Sequence, residues 1–476
     1  MNVSFLQELM NTLAEQSRAL LPKSLFGAGA EDNIEALARA LMSGRGEASG
    51  VAIARQLLTR LKRATAEERR GFFAYLANDL QPDPRKVSDA AVAYLAHPTD
   101  ATLQGLQEAT ESPRREFFRR LNLSPGATAE IVGLRHELLR LPKSEPGAAA
   151  IDADLQHLLQ TWFNRGFLVL RRIDWQTPAA ILEKIIAYEA VHEIKGWDDL
   201  RRRLDPTDRR CFAFFHPSLV DDPLIFVEVA LTSDAPDAID PLLEARRGDA
   251  DPAPTTAVFY SISNCQEGLR GISFGNFLLK QVVEELVREL PSLKTFVTLS
   301  PVPHFARWLD RMVAGGDDGA VTAKDREIVR VLRDPRWVDV ARDLGAQALP
   351  LKQTILQLAA HYFLVERSAD QRPVDPVARF HLGNGARLER INWLADVSEK
   401  GLREGHGLMV NYRYDLAEIE KNHEAYAADG TVAASRAVKA QLRAVAKSKA
   451  LAVPAGEPEA ATAAVKSRKH SPVSKS

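Results

Sequence analysis

The segment from Ala257 to Ser300, AVFYSISNCQEGLRGISFGNFLLKQVVEELVRELPSLKTFVTLS, constrains the fold more than any other stretch of this chain. Its two ends, AVFYSIS and TFVTLS, have the β-branched and aromatic content of buried strands. Between them Leu278, Leu279, Val282, Val283, Leu286 and Leu290 recur at intervals of three and four, forming one apolar stripe of a helix. Strand, turn, helix, strand predicts a right-handed crossover joining two parallel strands. Such a unit belongs to an open α/β sheet, which binds ligands at the carboxyl ends of its strands.

Both strand ends carry polar groups of interest. The first leads into Gln266-Glu267-Gly268-Leu269-Arg270-Gly271, where glycines permit close approach of the backbone to a ligand and the following helix start offers amides to a phosphate. A glycine-rich turn that binds nothing is the plain alternative. No Gly-Lys-Ser/Thr follows, so the loop is not of the P-loop type, and the dinucleotide spacing of glycines is absent. The second strand runs into Ser300-Pro301-Val302-Pro303. Prolines cannot donate to a ladder, so the sheet is expected to end at Ser300, with its hydroxyl at the strand terminus. A serine that only opens a turn is the competing reading.

The remainder divides into regions of different texture. Residues 1–160 read as helical throughout, with NIEALARALM and VAIARQLLTRLKRA amphipathic and Thr65-Ala66-Glu67-Glu68 forming a capping box before FFAYLANDL. From Gly166 strands and helices alternate, with FLVLRRIDW, LIFVEVAL, AVFYSIS and KTFVTLS as strands. LTSDAPDAIDPLLEARRGDADPAPTT reads as a loop holding a short helix, and residues 448–476 lack periodicity and read as a disordered tail. At 476 residues the chain exceeds one ordinary core. Its net charge of −1 gives no reason to expect nucleic acid or an anionic membrane as partner. Two cysteines, Cys211 and Cys265, provide neither a disulfide framework nor a zinc spacing, which fits a reducing compartment. The amino terminus lacks a secretory pattern and no apolar run spans a bilayer, so a cytoplasmic protein is expected.

A second polar concentration, PVARFHLGNGARLERINWLADVSEKGLREGHGLMVNYRYDL, places His381 just before the turn Gly383-Asn384-Gly385. Among eleven histidines it alone has such a setting, although a buried structural role is equally compatible with the sequence. His304 is nearer Ser300 in sequence but is expected to start a helix and point away.

The loop Gln266 to Gly271 loosely resembles the pyrophosphate loop of the GNAT acetyltransferases, in which two strands splay apart around the pantetheine arm of coenzyme A. The blocks FYSIS, GISFGNFLLKQVV, TLSPVP, FHLGNGARLERINWLADVS and GLMVNYRY, in this order, resemble the malonyl-CoA decarboxylase family from about Gly166 to Tyr426. The resemblance implies an all-α amino-terminal domain (1–160) followed by a GNAT-like α/β catalytic domain (161–447). It implies conversion of malonyl-CoA to acetyl-CoA and CO2 through a thioester enolate protonated by a histidine, with no cofactor and no metal. By the same resemblance Ser300 and His381 are catalytic, and Arg270, Gly271, Ile272, Ser273, Phe274, Gly275 and Asn276 hold coenzyme A, with Gln266 and Gly268 of the glycine-rich loop alongside, while the Ser261 or Ser300 hydroxyl or a backbone amide is a candidate donor to the enolate oxygen. Animal members carry glutamate at the position of Ser273, which leaves open which acid, if any, orients His381, and many members carry glycine at that of His304, which here supplies a second imidazole near Ser300 in sequence. A homo-oligomer, dimer or tetramer, assembled through the helical domain is expected. An N-acyltransferase acting from acyl-CoA, or a non-catalytic coenzyme A-binding module, are the alternatives.

Overall fold

The computed structural model describes residues 33–43, 46–142, 144–244, 254–272, 278–315, 321–334 and 336–442. The expected tail and the site positions Ser273, Phe274, Gly275 and Asn276 lie outside these residues.

Between Ile34 and Trp162 the described chain forms eight helices. The capping box is present at Ala66–Asn78: the Glu68 amide donates to Thr65 Oγ1 at 3.2 Å, and the Thr65 amide donates to the Glu68 carboxylate at 2.7 Å. Such a cap stabilises a helix by about 1 kcal/mol, and this one sets the rotation that buries Phe72, Phe73 and Leu76. Two helices depart from the bundle pattern. Pro84–Ala96 and Asp100–Thr110 bury none of their residues and leave Val92, Leu95 and Leu103 in the open.

Eight strands then make one sheet: β1 (Val169–Ile173), β2 (Arg209–His216), β3 (Leu219–Thr232), β4 (Thr256–Asn264), β5 (Thr295–Thr298), β6 (Ser300–Pro301), β7 (Arg387–Asn392) and β8 (Met409–Tyr414). The first four pair antiparallel in chain order, and β4 pairs parallel with β5 through the crossover helix Leu278–Glu289. The expected apolar stripe faces inward, with Leu278, Leu279, Val282, Val283 and Leu286 buried. β8 lies between β5 with β6 on one side and β7 on the other, since Val410 pairs with both Ser300 and Ile391.

The sheet does not end at Ser300. The last bond between the parallel strands runs from the Leu299 amide to the Phe259 carbonyl at 2.9 Å. Beyond it Ser300 and Pro301 turn to pair with Val410 and Met409 of β8, while β4 continues on β3 alone. The prolines do end pairing, but only after the chain has exchanged one neighbour for another. The parallel pair therefore diverges, which with the antiparallel β1–β4 and the crossover helix makes this half GNAT-like. The helical region is no separate core, because one apolar cluster runs from Val132 and Leu155 through Leu269 to Val283 and Phe296.

Candidate active site

Alternation along β5 and β6 puts Phe296, Thr298 and Ser300 on one face of the sheet. The helix Pro376–Gly383 lies over that face. Its start is set by Asp375, a fully buried N-cap that accepts the Ala378 amide at 2.8 Å and the Tyr362 hydroxyl at 3.2 Å, with Pro376 in the first turn. Burial raises the Asp375 carboxyl to about 6. Anchored in this way, the helix presents His381 directly to Ser300.

His381 is 2% exposed and Ser300 6%. His381 Nε2 lies 3.0 Å from Ser300 Oγ, and Nδ1 lies 2.8 Å from the hydroxyl of Tyr414. The Ser300 hydroxyl also reaches Thr298 Oγ1 at 2.9 Å, an oxygen that accepts the Tyr412 amide at 3.1 Å. The Tyr412 ring stacks on the imidazole with centroids 4.5 Å apart. Desolvation lowers His381 to about 3, so the ring is neutral near pH 7. The Tyr414 hydroxyl has Nδ1 as its acceptor, since leaving a buried phenolic proton unbonded costs about 1–3 kcal/mol. That places the imidazole proton on Nε2, and one directional chain results: Tyr414 O–H to Nδ1, Nε2–H to Ser300 Oγ, Ser300 O–H to Thr298 Oγ1.

Among the described residues no carboxylate bonds to His381, and the group at its Nδ1 is the Tyr414 hydroxyl. Tyr414 and Thr298 were missed in the sequence, yet both lie within quoted blocks and at even spacing from recognised neighbours. Tyr412 and Tyr414 are two apart in MVNYRY, as Thr298 and Ser300 are in TLS, so each pair shares a face once its strand is recognised.

The other expected residues divide. Ser261 is not brought to Ser300. A bulge at Tyr260 sets Ser261 opposite Glu228, on the far face of the sheet, where its hydroxyl donates to the Glu189 carboxylate at 2.8 Å. Ser263 and the amides of Val191 and His192 converge on the same carboxylate. Gln266, Arg270, Gly271 and Ile272 line a cavity of about 390 Å³, whose other wall carries Arg372, Arg379, Phe380 and Tyr426. Phe380 precedes His381 and touches it edge-on, with centroids 5.1 Å apart, so the cavity ends beside the buried dyad. Gly271 has φ +80° and open space above its Cα, whereas Gly268 faces away from the cavity. A Cβ at Gly268 would stand 2.0 Å from the Val132 carbonyl of helix Ala127–Arg140, so this glycine serves packing rather than a ligand. His304 is exposed at the N-cap of Phe305–Ala314, starting a helix as expected. Cys211 and Cys265 are buried free thiols. Among the described residues no cluster of His, Cys, Asp and Glu could hold a metal ion, and no helix is long and apolar enough to cross a membrane.

The malonyl-CoA decarboxylase C-terminal domain matches residues 166–452, and the N-terminal domain of the same family matches residues 80–163. The chain belongs to the malonyl-CoA decarboxylase family. Mitochondrial malonyl-CoA decarboxylase of Rattus norvegicus is 37% identical over 68% of this chain and 70% of its own. That of Anser anser anser is 34% identical over 76% of this chain and 77% of its own. Among solved structures, malonyl-CoA decarboxylase from Rhodopseudomonas palustris is 52% identical, with a TM-score of 0.82 over 86% of this chain and 99% of that one.

Proposed function

We propose that this malonyl-CoA decarboxylase binds the coenzyme A moiety in the cavity at 266–272 and carries out decarboxylation beside Ser300 and His381. The hydrogen-bonded chain Tyr414–His381–Ser300 is the observation that carries this reading. The cavity's guanidiniums, Arg270, Arg372 and Arg379, suit the phosphates, and the divergence of β4 from β5 offers a path for the pantetheine arm.

In the reaction, the bond between carbon two and the malonyl carboxylate breaks and CO2 leaves. The electron pair stays on carbon two and the thioester oxygen. A thioester enolate is basic enough to take a proton from a neutral donor. The Ser300 hydroxyl turns from Thr298 toward carbon two and delivers its proton there, the His381 Nε2 proton passes to Ser300 Oγ and the Tyr414 phenol proton passes to Nδ1, so the imidazole stays neutral and the enolate's negative charge ends on the Tyr414 oxygen. Water restores the proton once acetyl-CoA departs. Positioned proton transfer of this kind contributes about 10²–10⁴-fold. The dry setting holds His381 neutral, so no cation sits where it would stabilise the starting carboxylate more than the enolate.

Incubation with malonyl-CoA alone tests the reading. CO2 and acetyl-CoA in equal amounts are expected; binding without turnover, or turnover only when an amine is supplied, would replace it with one of the alternatives.

The same reading includes assembly and place. The hairpin Pro84–Ala96 and Asp100–Thr110, with no buried residue and with Val92, Leu95 and Leu103 exposed, is the proposed subunit contact of a homo-oligomer. Leu95→Glu should lower the mass in light scattering; an unchanged mass removes the hairpin from that role. Two buried free thiols favour the cytoplasm, which cell fractionation checks.

A further inference from the structure

The helix Ala127–Arg140 of the amino-terminal region lies directly beneath the 266–272 loop. Its Arg135 is 1% exposed, an unusual fate for a guanidinium. Nε donates to Asp152 at 2.7 Å, while Nη1 donates to the carbonyl oxygens of Gly268 at 2.7 Å and Arg270 at 2.9 Å. One buried, charge-compensated cation thus holds two carbonyls of the loop from below.

The consequence follows from peptide geometry. In a trans peptide the C=O and the next N–H point in opposite directions. Pinning the Arg270 carbonyl down toward Arg135 therefore turns the Gly271 N–H up, toward the cavity that Gly271 lines. The amides of Leu269, Arg270 and Ile272 are occupied by the carbonyls of Gln266, Glu267 and Leu269. Gly271 alone in this run makes no such bond among the described residues, and nothing lies within 4 Å of the place a Cβ would take. Between Leu269 and Ile272 the Gly271 N–H is thus the amide without a partner among the described residues, it points outward, and a cation behind the same peptide polarises it.

We propose that Arg135 is a positioning residue for malonyl-CoA: through the Arg270–Gly271 peptide it aims the Gly271 N–H at a phosphate oxygen of coenzyme A, so that the helical region completes the substrate site. The proposal rests on the assignment of the cavity to the coenzyme A moiety. It separates two jobs of Gly268 and Gly271 that look alike in sequence. Gly268 lets the helix come close, and Gly271 lets the phosphate do so.

The experiment uses the full chain and two substrates, malonyl-CoA and malonyl-pantetheine, which lacks the nucleotide and its diphosphate. Arg135→Met should raise KM for malonyl-CoA about ten-fold, leave kcat within about two-fold, and leave both constants for malonyl-pantetheine unchanged. Arg135→Lys, which keeps a cation and a donor, should recover part of the loss. Asp152→Asn, which leaves both loop contacts in place, should change KM least. Melting curves accompany each variant; if Arg135→Met does not fold, Arg135→Gln, which removes the cation, decides, and an unchanged KM for malonyl-CoA in that folded variant overturns the proposal. Equal losses on both substrates would also overturn it, showing that Arg135 supports the fold and not the phosphate. A wild-type enzyme with the same KM for both substrates removes the nucleotide from the cavity, and the proposal falls together with that assignment.

Discussion

At the Ser300 end of the site every functional side chain is buried and neutral, whereas at the 266–272 end the cavity opens to solvent and three arginines line it. The reacting end is built from side chains in one fixed hydrogen-bonded order, delivered by a capped helix and by strand alternation. The anchoring end is built from backbone, with a free amide and a left-handed glycine held from beneath by another region. In the proposed function the contrast reflects what each end must do. Charge near the departing carboxylate would stabilise the ground state, so the reacting end excludes it. Charge around a diphosphate gains attraction at distance and tolerates water, so the anchoring end can stay open.

If the division holds, damage to the two ends must appear in different kinetic constants. The largest effect is expected at the dyad: Ser300→Ala and His381→Asn should each lower kcat by about 10²–10⁴-fold, with melting curves confirming the fold. Because the two act as one unit, the double variant should be little worse than either. His304→Gly should leave the rate unchanged; loss of activity there with His381→Asn still active would transfer the role to the other imidazole. Next comes Gly271→Asp, which puts a carboxylate where a phosphate oxygen is expected. Affinity for acetyl-CoA should fall by about thirty-fold or more, and full affinity in a folded variant would move the phosphates elsewhere.

Tyr414→Phe sharpens the comparison from the other side. It removes the donor to Nδ1 and frees the imidazole tautomer, which should lower kcat about ten-fold while KM stays within about two-fold. A change confined to KM would mean that the reacting end also binds. The last prediction concerns stability and pH, and for the rate it expects no effect. An unfolded histidine titrates at about 6.5, while burial holds His381 at about 3. Between these values the unfolded chain binds the extra proton, so stability present above pH 6.5 is lost as pH falls toward 3, with a slope of about 1.4 kcal/mol per pH unit. Unfolding titrations of His381→Asn should lack this component of the acid limb. For the same reason kcat should show no inflection near 6.5 from His381.

Much of this protein was legible in its residues. The capping box at Thr65, the crossover helix and the strand from Ala257 follow from local spacing, and the structure contains each. The proposed site was legible in parts: Ser300 and His381 have distinctive settings and the family resemblance suggested their roles, but what orients the histidine was not visible. The family resemblance left open which acid, if any, orients it, and the structure supplies a phenol 33 residues away on β8. The prolines after Ser300 misled in a specific way, since they end pairing to β4 but not pairing to β8. Gly268 misled in another, because a glycine that admits a ligand and one that admits a helix look the same along the chain.

The sequence alone determined periodicity, and periodicity determined which side chains share a face of each helix or strand. It also determined the start of each capped helix, because a cap needs only residues three apart. Only the tertiary structure decided which faces meet: Ser300 with a histidine 81 residues on, Ser261 with Glu189 on the opposite face, and Arg135 with a loop some 130 residues later. The physical reason is range. Local propensities act over a turn or a strand pair, whereas these contacts depend on which strand becomes the neighbour of which and on how closely two backbones pack. A single extra residue at Tyr260, a bulge in β4, keeps Ser261 on the face away from Ser300, and no local pattern records that choice.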